Sequence, residues 1–484
     1  MSAPAVDSAP RDAGAVRHGA WILAAIVAVG LVLRLIGLDD GLWYDEITTL
    51  VNYVRRPAGE IVTTFDSQNQ HMLYSILARA SVATFGESAW ALRLPAALFG
   101  VLSLWAVYLF GRGVTTQREA LCAALILAVS YHHVWFSQNA RGYSMLLAGT
   151  LLSTALLLPL LEGVQQRPAR IVVGWAVITA LTLYTNLTAL FVTASQGLVW
   201  LGLLAAGRLS WSARRQTITA FTMGAVLTLL LYAPVFGQMV ETVTRPTMAG
   251  SSVEWKNPLW LLAETVRGMG QGVPGGWPAL ALGGLITIVG LVSYARRAPT
   301  AASLMTLPVA VTAAAMLATS HNLWPRLFFF AAGFAILIVV RGIFDVAERL
   351  WPARGPLAAT LACGMAALAS LTTVPAAWNP KQDHEGARDW IAANRRPGDA
   401  VVAVDMARFP LNRWLRAGFD EAADVQQLQA LEAGARRTLV LYEFPARLRA
   451  LQPGLLDRLE REYREVARFP GTVGGGTVVV MERS

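Results

Sequence analysis

Apolar stretches of about the length that crosses a bilayer recur along almost the whole of this chain, separated by short loops rich in arginine. That pattern limits the fold more than any other feature, since a helix needs ~17–25 apolar residues to span a hydrocarbon core about 30 Å thick. Placed by apolar length, about eleven spans fall at 20–38, 91–110, 118–135, 143–162, 171–186, 187–206, 217–238, 276–295, 302–319, 326–344 and 356–377. Residues 171–206 are divided near Tyr184–Asn186, because one continuous helix would run ~54 Å at 1.5 Å per residue. Composition agrees: 15% of the residues are charged, against about 25% in soluble domains.

Charge sets the orientation. Arg112 and Arg118, Arg167 and Arg170, Arg208, Arg214 and Arg215, Arg296 and Arg297, and Arg349 and Arg354 fall in alternate loops, as the positive-inside bias requires of cytoplasmic segments. These arginines account for much of the net charge of +9 without a nucleic-acid partner. No small-x-small cleavage site follows Arg17 and its apolar run, so the first span is expected to be uncleaved, with residues 1–19 a cytoplasmic tail. An odd number of spans then leaves everything after residue 377 outside the plasma membrane. Cys122 and Cys363 fall inside spans at no metal-type spacing and are expected to be small core residues.

The expected fold is therefore an all-α polytopic membrane module over 20–377, followed by a small extracytoplasmic α/β domain over 378–484. In that last segment short β-branched runs (401–405, 438–442, 477–481) alternate with helix-like stretches at 384–395 and 453–467. "TVGGGTVVV" is expected to be a turn before a final strand. The first outer loop, 39–90, is long but has no clean span. Residues 46–56 and 71–86 each predict a helix with one apolar face, suited to lying in the membrane interface. Trp43 and Tyr44 are expected to anchor the turn there.

Ionisable groups at membrane depth are costly and are functional candidates by default. Three clusters qualify, and the topology sets all three on the outer face: Asp45 and Glu46 in "GLWYDEITTL", "WFSQNARGYS" at 135–144, and "SHNLWPRLFF" at 320–329. His71, in "SQNQHMLYS", adds a titratable group. A carboxylate at that depth suits a general base. Arg141 and Arg326 suit phosphate, because a guanidinium presents paired donors and stays charged. Plainer roles exist for each: helix N-terminal acids for Asp45 and Glu46, and snorkelling for the arginines, Arg34 above all. The convergence of three clusters on one face favours a site, but spacing and depth do not name a reaction.

"LRLIGLDDGLWYDE" at 33–46, "ARASVATFGESAWALRLPAALFG" within 71–112 and "FSQNARGYS" at 136–144 resemble the opening blocks of GT-C class membrane glycosyltransferases. The group they are most similar to is the protein O-mannosyltransferase-like and aminoarabinose-transferase-like one. The resemblance covers roughly residues 30–200. It implies transfer of a sugar from a polyprenyl-phosphate-linked donor to a protein, lipid or glycan acceptor on the extracytoplasmic face. The transfer would proceed with inversion at the anomeric carbon, with Asp45 as the catalytic base and Glu46 as its partner. Arg141, with Gln138 and Tyr143 beside it, would lie near the donor; Arg326 is expected as a second phosphate ligand from depth and charge. Gln70–His71–Met72 stands where many of that group carry a proline pair, which marks His71 as an acceptor-side candidate. No cofactor is firmly expected. A divalent metal at Asp45, Glu46 and His71 is chemically conceivable, although the group looks metal-independent. The rival reading is a transporter or flippase of lipid-linked sugars; no internal repeat of the kind many transporters carry is visible.

Overall fold

A computed structural model describes residues 13–164, 167–244, 257–319 and 321–484. Eight of its helices are long and apolar enough to cross a membrane, among them Ala89–Val114, Tyr143–Glu162, Gly276–Arg297 and Pro299–Ala318. The expected span 118–135 is broken into Gln117–Ala128 and Tyr131–Ser137, bent by 63°. Two further expected spans form shorter apolar helices, Ala189–Ala205 and Gly355–Leu371. The outward faces of the apolar helices are bare of protein, as at Trp21, Leu229, Leu285 and Leu368, which suits contact with lipid.

The bend has an identifiable stabiliser. A helix that stops inside the bundle leaves carbonyls without intrahelical partners. Arg34, wholly buried on Ala13–Leu35, donates to Ala128 O at 3.0 Å and Leu127 O at 3.4 Å and also contacts His133 Nδ1. His133 Nε2 in turn lies 2.7 Å from Ser103 Oγ. Arg34 is thus no snorkeller: its charge is spent inside the protein on the end of a broken helix. Beyond the bend, Gln138 donates to Arg34 O at 3.1 Å and Ile36 O at 2.5 Å. The chain leaving the bend is therefore tied to the end of the first helix.

The helices of the first outer loop each pack one apolar face on protein. Tyr44–Thr49 continues into a turn of wider π-helix, Leu50–Val54. Ile47, Leu50 and Val54 pack with Tyr74 and Ala78 of Met72–Phe85 and with Leu92 and Ala96 of Ala89–Val114; Phe409 and Trp414 from the C-terminal domain close over them. Their apolar faces meet one another and the start of Ala89–Val114, with the C-terminal domain at the edge of the cluster. Trp43 is correspondingly buried, its indole N–H donating to Asn139 Oδ1 at 3.3 Å. Tyr44 packs against Phe409 with ring centroids 5.7 Å apart. Both rings are therefore engaged by protein.

The C-terminal domain carries one five-stranded sheet: β1 (Asp399–Val404), β2 (Asp420–Ala422), β3 (Arg437–Tyr442), β4 (Arg464–Phe469) and β5 (Val478–Arg483), in the order β2-β1-β3-β5-β4. β1 is parallel to β2 and β3, whereas β5 is antiparallel to β3 and β4. Separate hydrophobic clusters cover its two faces, one containing Leu448, Leu455 and Leu459 and the other Ala387, Ile391 and Leu411. The helix expected over 453–467 stops at Glu462, and Arg464–Phe469 is strand β4, since residues past Tyr463 pair with β5. The glycine-rich run is a turn, with Gly475 at φ +74°. It pairs with the segment entering the domain, through Thr472 N to Pro380 O at 3.0 Å and Val473 N to Lys381 O at 3.2 Å.

Candidate active site

The two adjacent acids of the first loop face different partners, because successive residues in the first turn of Tyr44–Thr49 point about 100° apart. Glu46 is fully buried and gripped by Arg93, with Nε to Oε1 at 2.8 Å and Nη2 to Oε2 at 2.6 Å. Ala140 N also donates to Oε1 at 2.7 Å. The remaining Arg93 donors take the carbonyls of Leu38, Asp40 and Gly41. Burial works against ionising Glu46, but the charge of Arg93, that of Lys381 and these hydrogen bonds outweigh it and hold the carboxyl below its usual range. Such a carboxylate has no oxygen free for a substrate; it locks the loop 38–46 to the loop that carries Arg141.

Asp45, also buried, faces the other way. Its Oδ2 lies 3.1 Å from Arg141 Nη1 and 3.2 Å from Arg326 Nη1. Arg141 follows the bent pair of helices, and Arg326 comes from the 3₁₀ turn Pro325–Ala331. Two guanidinium groups thus share one carboxylate. Arg141 is buried, and its Nε and Nη1 make no hydrogen bond of good geometry, while Nη2 donates to Asn69 Oδ1 at 2.7 Å. The side chain of Arg326 is about one-third exposed.

His71 stands on the flank of Arg141. Its Nδ1 accepts from Gly142 N at 2.7 Å, and its Nε2 lies 3.2 Å from Asn186 Nδ2 and 3.4 Å from Arg141 Nη2. A Cβ at Gly142 would come within 2.9 Å of His71 Nδ1, so this contact needs glycine. Burial, then the charges of Arg141 and Arg326, push the imidazole well below its ordinary value, leaving it neutral. With Nδ1 accepting, its proton sits on Nε2, so Arg141, Arg326, Asn186 and His71 all offer donors. That arrangement suits an anion. Tyr143 walls the same region, edge-on to His71 at 5.4 Å and 5.8 Å from the Arg141 guanidinium.

Of the residues singled out in the sequence, Asp45, Arg141, Arg326, His71 and Tyr143 come together. Gln138 does not join them, because its amide nitrogen is committed to the end of the first helix. Among the described residues no three His, Cys, Asp or Glu side chains assemble to hold a metal ion; Asp45, Glu46 and His71 each turn to a different partner. Arg93, Asn69, Asn186 and Lys381 went unassigned. The polar break at Tyr184–Asn186 and the rarity of lysine, two in the chain with Lys381 one of them, were the available signals.

Lys381 ties the C-terminal domain to this site. It is buried, donates to Gln138 O at 2.7 Å and lies 5.2 Å from the Trp135 ring. The next residue, Gln382, accepts from Tyr44 N at 3.0 Å, one residue before Asp45. The arginine-rich loops fall at the other ends of the helices: Arg112 closes Ala89–Val114, whereas Arg93 is near its start.

Residues 70–237 match the family model described as dolichyl-phosphate-mannose-protein mannosyltransferase. No curated protein matches the chain in sequence. Among solved structures it is similar to ArnT from Cupriavidus metallidurans bound to undecaprenyl phosphate, at 14% identity and a TM-score of 0.54, covering 96% of this chain and 98% of that one. It is also similar to the oligosaccharyltransferase AglB from Archaeoglobus fulgidus in complex with an inhibitory peptide and a dolichol-phosphate, at 11% identity and a TM-score of 0.56, covering 97% of this chain and 74% of that one. The chain is a multi-pass membrane protein with the GT-C fold. Taken with the family match, it is a glycosyltransferase.

Proposed function

We propose that this protein transfers a sugar from a polyprenyl-phosphate-linked donor to a hydroxyl or amine acceptor on the extracytoplasmic face of the plasma membrane. The observation that carries the reading is the Asp45 carboxylate set between Arg141 and Arg326. One acid shared by two arginines leaves an excess of positive charge and bare donors where a lipid phosphate would sit. The lipid carriers named for ArnT and AglB, undecaprenyl phosphate and dolichol-phosphate, are of the class such a site would hold. The arginine-rich loops at the opposite ends of the helices support the outward orientation.

In this reading the donor phosphate competes with Asp45 for the two arginines. As their donors turn to phosphate, the carboxylate is released to act as general base. The acceptor O–H or N–H then loses its proton to Asp45 while its lone pair attacks the anomeric carbon from the face opposite the phosphate. The carbon–oxygen bond to phosphate breaks, the configuration inverts, and Arg141 and Arg326 stabilise the charge that develops on the leaving polyprenyl phosphate. Glu46 and Arg93 act as positioning residues for this loop. His71, neutral and fixed through Gly142, offers its Nε2 proton to the phosphate.

The test is a structure of the protein with undecaprenyl phosphate. The reading expects phosphate oxygens within hydrogen-bonding distance of Arg141 and Arg326, with the Asp45 bridge opened. Phosphate bound elsewhere, with the bridge intact, would refute it.

A further inference from the structure

The parallel strands β1 and β3 of the C-terminal domain end where the chain turns to opposite faces of the sheet. After β1 it leads to Leu411, in the cluster on one face; after β3 it leads to Leu448 and Leu455, in the cluster on the other. Adjacent strands that part in this way open a crevice at their carboxyl ends, the usual place for a ligand in an open α/β sheet. Two non-glycine residues there hold left-handed backbone: Asp405 at φ +48°, directly after β1, and Phe444 at φ +50°, just beyond β3. Such conformations are costly and persist where the surroundings hold them. Arg447 Nε pairs with Asp405 Oδ2 at 3.1 Å, and Phe444 N donates to Gly475 O at 2.9 Å.

The first outer loop of the same chain reaches this end of the sheet. The Tyr44 ring packs on Phe409, in the segment that follows β1. Burial first, then the charge of Asp45, push its phenol above the ordinary value, with Glu443 and Asp405 adding and Arg447 opposing. The backbone of Tyr44 is held by a chain of buried groups. The first N–H groups of a helix have no partner within it, and at the start of Tyr44–Thr49 the Tyr44 N–H donates to Gln382 Oε1 at 3.0 Å. Gln382 is 1% exposed, and its Nε2 donates to Glu443 Oε2 at 2.5 Å. Glu443, directly after β3, is wholly buried, and the same oxygen lies 2.9 Å from His384 Nε2. The Gln382 amide is bonded at both ends, so it links the end of β3 to the residue before Asp45. Arg93 holds the other side of the same helical turn through Glu46.

We propose that Gln382 and Glu443 are positioning residues for Asp45: the C-terminal domain uses the crevice of its sheet to seat the first loop and set the catalytic carboxylate. This rests on the role given to Asp45 above.

The experiment is a double-mutant cycle in proteoliposomes, measuring transfer from a polyprenyl-phosphate sugar. Gln382→Met keeps the length of the side chain and removes both of its hydrogen bonds. It is expected to lower kcat about 10- to 100-fold, as a small misplacement of a reacting group does. The donor KM should stay close to the wild-type value, with the variant folded by its melting temperature. In an Asp45→Asn background the same substitution should cost nothing further, because residues that act as one unit are not additive. Gln382→Glu sets one carboxylate against another and should lose activity. Gln382→Glu combined with Glu443→Gln should recover most of it, since the bond between them reverses direction and Tyr44 keeps its acceptor. An unchanged kcat in folded Gln382→Met, an equal loss with and without Asp45, or no recovery in the exchanged pair would overturn the proposal. If Gln382→Met does not fold, Gln382→Glu and the exchanged pair carry the same comparison. Wild-type transfer by Asp45→Asn alone would instead overturn the role given to Asp45.

Discussion

Arg326 Nη1 stands 3.2 Å from Asp45 Oδ2, although 281 residues separate them in the chain. Arg141 approaches the same oxygen from a third segment. This meeting of three loops is the basis on which a sugar-transfer role is assigned to Asp45.

Arg326 tests the phosphate side. Its side chain is partly exposed and makes no other ion pair among the described residues, so its loss should spare the fold. Arg326→Ala is expected to raise the KM for the polyprenyl-phosphate donor about 10- to 100-fold, the equivalent of the ~1.5–3 kcal/mol carried by a hydrogen bond to a charged group. Arg326→Lys should recover only part, because an ammonium lacks the paired donors of the guanidinium. Steady-state kinetics against donor concentration decide this; a KM that stays at the wild-type value in Arg326→Ala would remove Arg326 from the donor site.

Glu46 tests the division of labour between the two acids. Glu46→Ala leaves the Arg93 guanidinium buried without its anion, a change that costs about 3–5 kcal/mol in buried pairs. The variant should lose melting temperature and yield of folded protein, and lose more of both than Asp45→Asn, whose carboxylate is less enclosed than that of Glu46. Removing both partners, in Glu46→Leu with Arg93→Met, should restore part of the stability. If Glu46→Ala melts like the wild type, the clamp described here is not holding the loop.

Lys381 gives a pH signature. Burial pushes its ammonium down from the ordinary 10.5 to about 7, with Glu46 and Asp40 pulling upward and Arg93 adding to the downward shift. Between about pH 7 and 10.5 the unfolded chain binds this proton and the folded one does not, so stability rises with pH across that window. Below pH 7 both states bind it and the contribution is flat. Apparent melting temperatures at pH 7, 8 and 9 should therefore climb more steeply in the wild type than in Lys381→Met. Parallel slopes would mean that Lys381 keeps its proton in the fold.

The legible part of the architecture was what depends on span length and loop charge. Arg112, Arg118 and the later loop arginines mark helix ends away from Asp45, and Val401, Leu439 and Val480 lie in strands as their β-branched runs suggested. What local pattern did not carry was the identity of distant partners. The apolar faces near Ile47 and Tyr74 pack on each other and on Leu92 and Ala96, and Phe409 and Trp414 from the C-terminal domain join the cluster. Arg34 likewise fits a snorkeller until the break at Ala128 supplies carbonyls for it. At the site, residue type and depth pointed to Asp45, Arg141 and Arg326. Which acid faced the arginines and which faced Arg93 depends on the rotation of one helical turn and on a partner 47 residues away, and local pattern carries neither.

The most direct measurement of the central claim is sugar transfer by Asp45→Asn in proteoliposomes supplied with a polyprenyl-phosphate sugar. General-base catalysis contributes typically 10²–10⁴-fold, and a loss of about that size is expected, with the variant folded and still binding the donor. Transfer at the wild-type rate would contradict the role given to Asp45.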